Sequence, residues 1–327
     1  MVTCQRALAD AAAFIKEHDQ FLVVSHIDPD GDATGSALAV AHLLRKLNKS
    51  YTVVNEGATP KRFSFLPGYD QIVNLKEQPL AQTFKYVIAV DVADETRMGQ
   101  IAHLFDEEVF LLNIDHHPTN THFGQINVIC PEAASTTQII YHLCRQHFPE
   151  TMHDHLAEAL YTGLLTDTGG FRYANTSKSV LEMAASLLEF GFNPSVIARH
   201  SLETVTLGHV ELLKRALNNL IMAKDNKIAI MMVTEEDLKQ SKASREDQDG
   251  LASFPIKIDG VEVGIVLKEL GSDEIRVSLR SKKQVDVSLL AQQFGGGGHA
   301  RAAGFTYCGT LEAVKEKLLA ELDTLLD

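Results

Sequence analysis

The first half of the chain alternates short apolar runs with segments of helical periodicity. Four of these runs are rich in β-branched and aromatic residues and have the length of buried strands, namely 21–24, 51–54, 86–90 and 109–114. A helix pattern at 34–47 lies between the first two, with its leucines on one face. Such alternation is typical of an α/β fold, so we predict a parallel sheet with helices on both faces.

After these strands, the sequence pattern predicts several helices and then a smaller α/β domain. Helix patterns at 135–148, 155–165 and 177–189 precede Gly191, which suits a helix C-cap. Strand patterns follow at 227–233, 261–267 and 275–279, and the last helix pattern covers 311–326. We therefore predict a first domain at 1–190, a helical linker at 191–222 and a second α/β domain at 223–327.

Composition narrows the class of protein. The chain has 327 residues, of which 45% are hydrophobic, enough for about two domains with buried cores. Its formal net charge of -13 argues against binding of long duplex nucleic acid, whereas a short anionic substrate in a local positive pocket stays compatible. The scattered cysteines indicate neither a disulfide scaffold nor a zinc ribbon. Without a signal peptide or a membrane-spanning run, we expect a cytoplasmic protein with no membrane partner.

Acidic residues and histidines follow three of the predicted strands and one predicted helix. The set comprises His26, Asp28, Asp30, Asp32, Asp91, Asp94, Asp115, His116, His117 and Asp167. Each aspartate alone has a simpler explanation as a turn former or a helix cap, and the histidine pair alone would fit a solvated loop. Several carboxylates at one strand end, however, repel each other unless a cation neutralises them.

The positions of these residues favour a metal site. Parallel strands place their carboxyl ends at one edge of a sheet, where α/β proteins bind ligands, so the loops are expected to converge. The set contains carboxylates and imidazoles but no thiolate, which suits Mn²⁺ or Mg²⁺ better than a structural zinc ion. A shared carboxylate would allow two ions roughly 3.5–4 Å apart, the spacing used for displacement at phosphorus.

A glycine-rich segment near the C-terminus is a candidate anion site. Gly295–298 are four successive glycines whose backbone N–H groups would be able to surround an anion. His299 adds a donor, and Arg280 adds a guanidinium group suited to phosphate. The alternative is a flexible loop between a helix and a strand.

Together these motifs resemble the DHH phosphoesterase family with its DHH-associated C-terminal domain. Residues 26–33, HIDPDGDA, resemble the first motif of the family. Asp91, the Asp115-His116-His117 triplet and Asp167 stand where the later motifs belong. Residues 295–304 resemble the GGGHxxAAG element of the C-terminal domain. The resemblance covers nearly the whole chain.

The resemblance implies a role for each motif residue. One metal ion would be held by His26, Asp30 and Asp91. The other would be held by Asp32, Asp91, His116 and Asp167, so that Asp91 bridges the two. The ions implied are Mn²⁺, with Mg²⁺ and Co²⁺ as alternatives.

The same resemblance implies two catalytic side chains and a substrate site. His117 would contact the scissile phosphate or the leaving group, and Asp115 would orient the histidine pair. The implied substrate-binding residues are Arg280, Gly296, Gly297, Gly298 and His299, with Arg172 as a further candidate. Asp28 would support its loop.

Within this family, the compact two-domain form resembles the phosphoesterases that act on short single-stranded RNA and small nucleotides. It would hydrolyse oligoribonucleotides to mononucleotides, and 3'-phosphoadenosine 5'-phosphate to AMP and phosphate. Alternatives are a phosphodiesterase of cyclic-dinucleotide turnover acting on linear pApA, a processive single-strand exonuclease, a family II inorganic pyrophosphatase and a non-catalytic nucleotide sensor. A homodimer is compatible with the sequence by analogy only.

Overall fold

The computed structural model describes residues 4–248, 250–271 and 273–326, divided into a unit that ends at Thr204 and a unit that starts at Val205. This boundary falls inside the predicted linker. Within that segment Ile197 is buried in the core of the first unit, whereas Leu212 and Ala216 are buried in the second. The helices of the predicted linker therefore pack into the two units.

The first unit contains a six-stranded sheet in which every pair of neighbours is parallel. Its strands are β1 (Phe21–Val24), β2 (Tyr51–Asn55), β3 (Ile72–Asn74), β4 (Phe84–Val90), β5 (Phe105–Asp115) and β6 (Ile126–Ile129). The strand order is β3-β2-β1-β4-β5-β6. The predicted fold class is confirmed, and the sequence analysis missed β3 and β6.

Helices cover this sheet. They are α1 (Gln5–Glu17), α2 (Gly31–Lys46), α3 (Thr136–His147), α4 (Asp154–Asp167), α5 (Lys178–Leu188) and α6 (Pro194–Ala198). Alternate strand residues face opposite sides, so Phe21 and Val23 pack with the helices while Leu22 and Val24 face the other side. A 3₁₀ segment, Glu95–Leu104, covers that other side.

The second unit is built on a mixed sheet with the order β11-β12-β10-β9-β8-β7. Its strands are β7 (Ile221–Ala223), β8 (Ile228–Val233), β9 (Val263–Gly271), β10 (Glu274–Ser281), β11 (Gly297–His299) and β12 (Ala302–Cys308). Its helices are α7 (Leu207–Asn218), α8 (Glu235–Ser241), α9 (Val287–Gln293) and α10 (Leu311–Leu325). Among the described strands of this second sheet, only β8 and β9 pair in parallel.

The structure pairs Cys4 with Cys130 as a disulfide, while Cys144 is buried and free and Cys308 is exposed and free. A single bridge is not a disulfide scaffold, but the sequence analysis did not predict this pairing. Within the described residues, every helix is too short or too polar to cross a bilayer.

Candidate metal centre

The predicted site residues converge at one edge of the parallel sheet. The strand order changes direction between β1 and β4, the position where α/β sheets open a crevice for ligands. His26 follows β1, Asp91 follows β4, and Asp115 is the last residue of β5. Parallel strands thus bring together residues that are far apart in the chain, as the sequence analysis expected.

Two helices add carboxylates to the same edge. Asp30 caps the N-terminus of α2 and Asp32 lies in its first turn. Asp167 is the last residue of α4. Asp30 therefore has the capping role that was the simpler explanation of the motif: its Oδ1 accepts from the backbone N–H groups of Asp32 and Ala33, both at 3.0 Å.

The donor atoms form three overlapping sets, and within each set they lie within 4.8 Å of one another. The sets are His26 with Asp30 and Asp91, Asp32 with His116 and Asp167, and Asp91 with His116 and His117. Asp91 and His116 each belong to two of them. The structure therefore brings together all six residues predicted as metal ligands, and it places His117 beside them.

Asp91 is the central residue of this arrangement. Its φ of 60° puts a non-glycine residue in the left-handed region, a strained conformation that is often found at functional sites. Its backbone N–H donates to the carbonyl of Ile114 at 2.9 Å, which ties the end of β4 to β5. The strained turn aims the buried carboxylate at the imidazoles of His26, His116 and His117.

The distances between the imidazole nitrogens and the carboxylate oxygens are compatible with cations that bind both. Nε2 of His116 lies 3.3 Å from Oδ2 of Asp167 and 3.6 Å from Oδ1 of Asp91, and Nε2 of His26 lies 3.6 Å from Oδ2 of Asp91. Direct charge-assisted hydrogen bonds are shorter, about 2.7–2.9 Å. Ligand atoms that share an octahedral cation lie about 3 Å apart. The donor set thus fits divalent ions that prefer oxygen and imidazole.

The electrostatic repulsion among the acidic residues of the site also favours binding of a cation. Burial, together with the charges of Asp91 and Asp30, raises the pKa of Asp32 well above its ordinary value. Burial and the carboxylates of Asp32 and Asp30 likewise raise the pKa of Asp167. These carboxylates destabilise one another as anions, so a bound divalent cation would offset the repulsion.

Hydrogen bonds orient two of the imidazoles. Nδ1 of His26 lies 2.7 Å from the carbonyl of Ile27, which can only accept, so Nδ1 carries the proton and Nε2 faces Asp91. Burial disfavours protonation of His26, but the nearby carboxylates of Asp91 and Asp30 outweigh it and raise its pKa to about 9. For His117, burial is outweighed by Asp115 and Asp91, and its pKa is also raised to about 9.

The carboxylate of Asp32 lies on the N-terminus of α3, an interaction that the sequence analysis missed. The backbone N–H groups of Thr136 and Thr137 donate to its two oxygens at 2.6 and 3.0 Å. The hydroxyl of Thr136 also donates to Asp91 at 2.9 Å. The sequence signal was the run Ser135-Thr136-Thr137, in which Ser135 is an N-cap residue. Helix α3 thereby positions two predicted metal ligands.

Asp115 is fully buried and holds the following loop in place. Its Oδ1 lies 2.7 Å from Nδ1 of His117, and its Oδ2 accepts from the side-chain amide of Asn120 at 2.6 Å. The structure therefore places Asp115 where it would orient His117. Asn120 was missed by sequence reasoning, because one amide in a polar loop carries no distinctive signal.

Two other acidic residues lie outside the three sets of donor atoms. Asp28 is exposed in a turn with a φ of 55°. Asp94 caps the 3₁₀ segment by accepting from the backbone N–H of Thr96 at 2.9 Å. Both have the turn or cap role that the sequence analysis gave as the simpler explanation.

The glycine-rich segment differs from a free loop. Gly297 and Gly298 belong to β11, which pairs with β12 opposite Gly304 and Ala303. The backbone N–H groups of Gly295 and Gly296 donate to carbonyls of α9 at 3.0 and 2.9 Å. The expected nest of four free amides is therefore wrong at its first two residues.

Of the three remaining predicted substrate-binding residues, two lie on the second unit and one lies on the first. His299 ends β11, and Arg280 lies on β10, with its Nη1 donating to the carbonyl of Leu279 at 2.9 Å. Arg172 lies on the first unit, exposed, with its Nε donating to the carbonyl of Gly169 at 2.6 Å. Their role in substrate binding stays a prediction.

Comparison with known proteins identifies the family of this chain. Residues 20–164 match the N-terminal domain of the DHH family, and residues 225–327 match the DHHA1 domain. A Thermus thermophilus protein named bifunctional oligoribonuclease and PAP phosphatase NrnA is 33% identical, over 90% of this chain and 89% of the relative. A Bacillus subtilis protein of the same name is 28% identical, over 95% and 96% of the two chains.

A solved structure shows a similar fold. An exopolyphosphatase-related protein from Bacteroides fragilis superposes with a TM-score of 0.90 at 26% identity, covering 98% of this chain and 96% of that one. The fold described for each unit is therefore shared with a protein of known structure.

Proposed function

Because this chain belongs to the DHH family of metal-dependent phosphoesterases, we propose that it hydrolyses short oligoribonucleotides to mononucleotides, and 3'-phosphoadenosine 5'-phosphate to AMP and phosphate. The substrates follow from the names of relatives that match this chain over almost its whole length. The observation that carries the proposal is the convergence of His26, Asp91, His116 and Asp167 at the edge of the parallel sheet.

We propose that His26, Asp30 and Asp91 hold one divalent ion and that Asp32, Asp91, His116 and Asp167 hold another. Mn²⁺ suits this set of oxygen and imidazole donors, with Mg²⁺ or Co²⁺ as alternatives. When bound, the ions would stabilise the negative charge that develops on the phosphoryl oxygens. The protein would hold them in fixed positions through the strained turn at Asp91 and the N-terminus of α3.

His117 is proposed to act on the substrate itself. Its imidazole is 30% exposed and Asp115 holds its Nδ1, and we propose that Nε2 meets the substrate. The ion pair with Asp115 favours the protonated ring, so Nε2–H would donate to the scissile phosphate or to the leaving oxygen. Asp115 would act as a positioning residue through His117.

The second unit is proposed to bind the other phosphate or the nucleotide of the substrate. Arg280 and His299 supply donors, and Gly297 and Gly298 supply backbone close to them along β11. Arg172 on the first unit is a further candidate. The net charge of -13 would disfavour longer RNA, which has more phosphates to place outside the site.

The decisive experiment is a substrate panel with purified protein and Mn²⁺. We expect mononucleotide release from di- to pentaribonucleotides and phosphate release from 3'-phosphoadenosine 5'-phosphate. Linear pApA, assayed at the same concentration, should be cleaved no faster than the other short oligonucleotides. The variant Asp91→Asn, which keeps the size of the side chain but removes its charge, should lose both activities while remaining folded by circular dichroism. Absence of both activities in the wild-type protein would refute the proposal.

We also propose a cellular location and an oligomeric state for the enzyme. We place it in the cytoplasm, where RNA fragments and nucleotide bisphosphates are turned over, and cell fractionation would test this. A homodimer is the oligomeric state proposed by analogy with the family. Light scattering of the purified protein would give its mass relative to the 36.0 kDa chain.

A further inference from the structure

Three histidines meet at a surface of the first unit that the proposed reaction does not use. His42 lies on α2, His153 is the N-cap residue of α4 and His155 follows in the first turn of α4. The ring centres lie 5.6 Å apart for His42 and His153, 5.6 Å for His42 and His155, and 5.9 Å for His153 and His155. One ring nitrogen from each lies within 4.8 Å of the others.

The spacing of the rings is close to that around a tetrahedral ion. With Zn–N bonds of about 2.0–2.1 Å, three imidazole ring centres lie about 5 Å apart and their donor nitrogens about 3.4 Å apart. The cluster therefore needs to contract by about 1 Å to hold such an ion. His155 is able to supply this movement, because its side chain is 47% exposed.

Backbone carbonyls orient the two less mobile rings. Nε2 of His42 donates to the carbonyl of Pro67 at 2.9 Å, so the lone pair of the neutral ring is on Nδ1. Nδ1 of His153 donates to the carbonyl of Thr151 at 2.8 Å, so its lone pair is on Nε2. Metal-binding histidines usually have their second nitrogen held in this way.

The local environment favours the neutral, metal-binding form of the His42 and His153 rings. Burial, with the neighbouring histidines and Arg45, lowers the pKa of His42 to about 4. Burial also lowers the pKa of His153. Arg45 and Lys46 line the same pocket, but both are exposed, so solvent screens their repulsion of a cation. Asp154 adds a compensating carboxylate.

We propose that His42, His153 and His155 form a binding site for a transition-metal cation of the Zn²⁺ type, separate from the catalytic centre. The fourth position would be taken by solvent or by Asp154. Imidazole ligands without carboxylate bridges suit Zn²⁺, whereas the catalytic set suits harder ions.

An ion bound at this site would connect two helices that also carry catalytic carboxylates. Helix α2 starts at the catalytic edge and reaches His42 ten residues after Asp32, about 15 Å away along the helix. Helix α4 starts at His153 and His155 and ends at Asp167 in the catalytic set. An ion held by the three histidines would therefore join the two helices at the ends opposite to their catalytic carboxylates.

The test counts zinc ions on protein stripped of metal by a chelator and then desalted after incubation with Zn²⁺. The variant His153→Ala/His155→Ala removes two ligands and retains the buried His42. His103→Ala is the matched control, because His103 is exposed and lies outside the cluster. Elemental analysis should give one zinc ion per chain fewer in the double variant than in the wild-type protein and the control. Equal zinc content in all three would overturn the proposal.

The catalytic centre also binds metals, so the comparison is repeated in the Asp91→Asn background. There the double substitution should again remove one zinc ion per chain, and Zn²⁺ should raise the melting temperature only where the three histidines are present. An equal rise with and without the histidines would contradict the site.

If the double variant does not fold, the single variant His155→Ala is used in its place, because that side chain is 47% exposed. Its Kd for Zn²⁺, measured by competition with a chromophoric chelator in the Asp91→Asn background, should be at least about tenfold weaker. An unchanged Kd would overturn the proposal. Neither readout requires turnover, so failure of the proposed activity and failure of this site are distinguishable.

Discussion

The hydroxyl of Thr137 donates a hydrogen bond of 2.8 Å to Oδ1 of Asp32, which lies 105 residues earlier in the chain. Both side chains are fully buried. With the backbone N–H groups of Thr136 and Thr137, this bond fixes the carboxylate against the start of α3. Helix α3 thus supports the proposed metal ligand without contributing a ligand of its own.

Replacing Thr137 by Val should weaken metal binding more than it affects the chemical step. The valine has almost the same volume but cannot donate to Asp32, so the carboxylate loses one of its orienting bonds. We expect the Mn²⁺ concentration for half-maximal activity to rise by about tenfold or more, with most of the activity restored at saturating Mn²⁺. Thr137→Ser keeps the hydroxyl and should resemble the wild type. An unchanged Mn²⁺ dependence in the valine variant would show that this bond has no role in metal binding.

Substitution of Asp115 by Asn should reduce turnover through His117. The amide loses the charge that holds Nδ1 of His117, and its one oxygen replaces two carboxylate oxygens that accept from His117 and Asn120. We expect kcat to fall by about 10–100-fold with a small change in KM, measured on a short oligoribonucleotide. Asp94→Asn is the control, because Asp94 caps the 3₁₀ segment and belongs to none of the three sets of donor atoms. Equal loss of activity in both variants would argue against a positioning role for Asp115.

The convergence of the proposed metal ligands was predictable from the sequence, but the groups that support them were not. Asp91 and Asp115 stand out because they end strongly apolar strands, and parallel pairing dictates that such ends meet. Thr136 is uncharged and reaches the site only through packing between distant segments. Asn120 bonds Asp115 within one loop, but an uncharged amide in a polar loop carries no distinctive signal. The three histidines of the proposed zinc site are likewise unremarkable singly, since His42 and His153 meet only when α2 packs on α4.

In the fold, too, some elements could be predicted from the sequence and others could not. Strands β1 and β4 were predicted because they are buried on both faces and therefore almost wholly apolar. The three residues of β3 are half-buried and include Asn74, too weak a pattern to indicate a strand. Strand β11 was not predicted, because glycine has low strand propensity and the pairing of these glycines depends on β12.

Gly163→Ala should destabilise the contact between α4 and the catalytic edge. A Cβ atom at Gly163 would lie 2.4 Å from Cγ2 of Thr137 and 2.5 Å from Oδ1 of Asp32, distances that force movement of buried groups. We expect the free energy of unfolding to fall by about 1–3 kcal/mol and the Mn²⁺ requirement to rise. Gly57→Ala is the matched control, because a Cβ there meets nothing within 4 Å. Equal stability of the two variants in denaturant titrations would contradict the close packing at Gly163.

Removal of metal should lower the stability of the first unit. Without a cation, the buried carboxylates of Asp32 and Asp167 repel each other and Asp91, as their raised pKa values indicate. Mn²⁺ at about 100 times its Kd is expected to stabilise the folded protein by about 2.7 kcal/mol, reversed by chelator. Scanning calorimetry would measure the shift in melting temperature. Asp91→Asn should show a smaller shift, and an equal shift would exclude Asp91 as a ligand.

Glu262 gives the second unit a pH-dependent contribution to stability. Its Oε1 accepts from the backbone N–H groups of Lys283, Gln284 and Val285, at 2.8, 2.5 and 3.3 Å. Burial opposes ionisation, but these three donors and the charge of Arg301 outweigh it and lower the pKa of Glu262 below its ordinary value of 4.5. The folded state therefore binds the Glu262 proton more weakly than the unfolded state does, so its stabilising effect is complete above pH 4.5 and is lost as the pH falls through the lowered value.

Glu262→Gln should consequently reduce the free energy of unfolding by about 1 kcal/mol at pH 7, and this deficit should shrink as the pH is lowered below 4.5. Glu274→Gln changes an exposed glutamate at the start of β10 and should stay within about 0.5 kcal/mol of the wild type throughout. Denaturant titrations of the three proteins at pH 7 and at pH 3 would measure both differences. A deficit for Glu262→Gln that is as large at pH 3 as at pH 7 would mean that lost packing, rather than the carboxylate charge, is responsible.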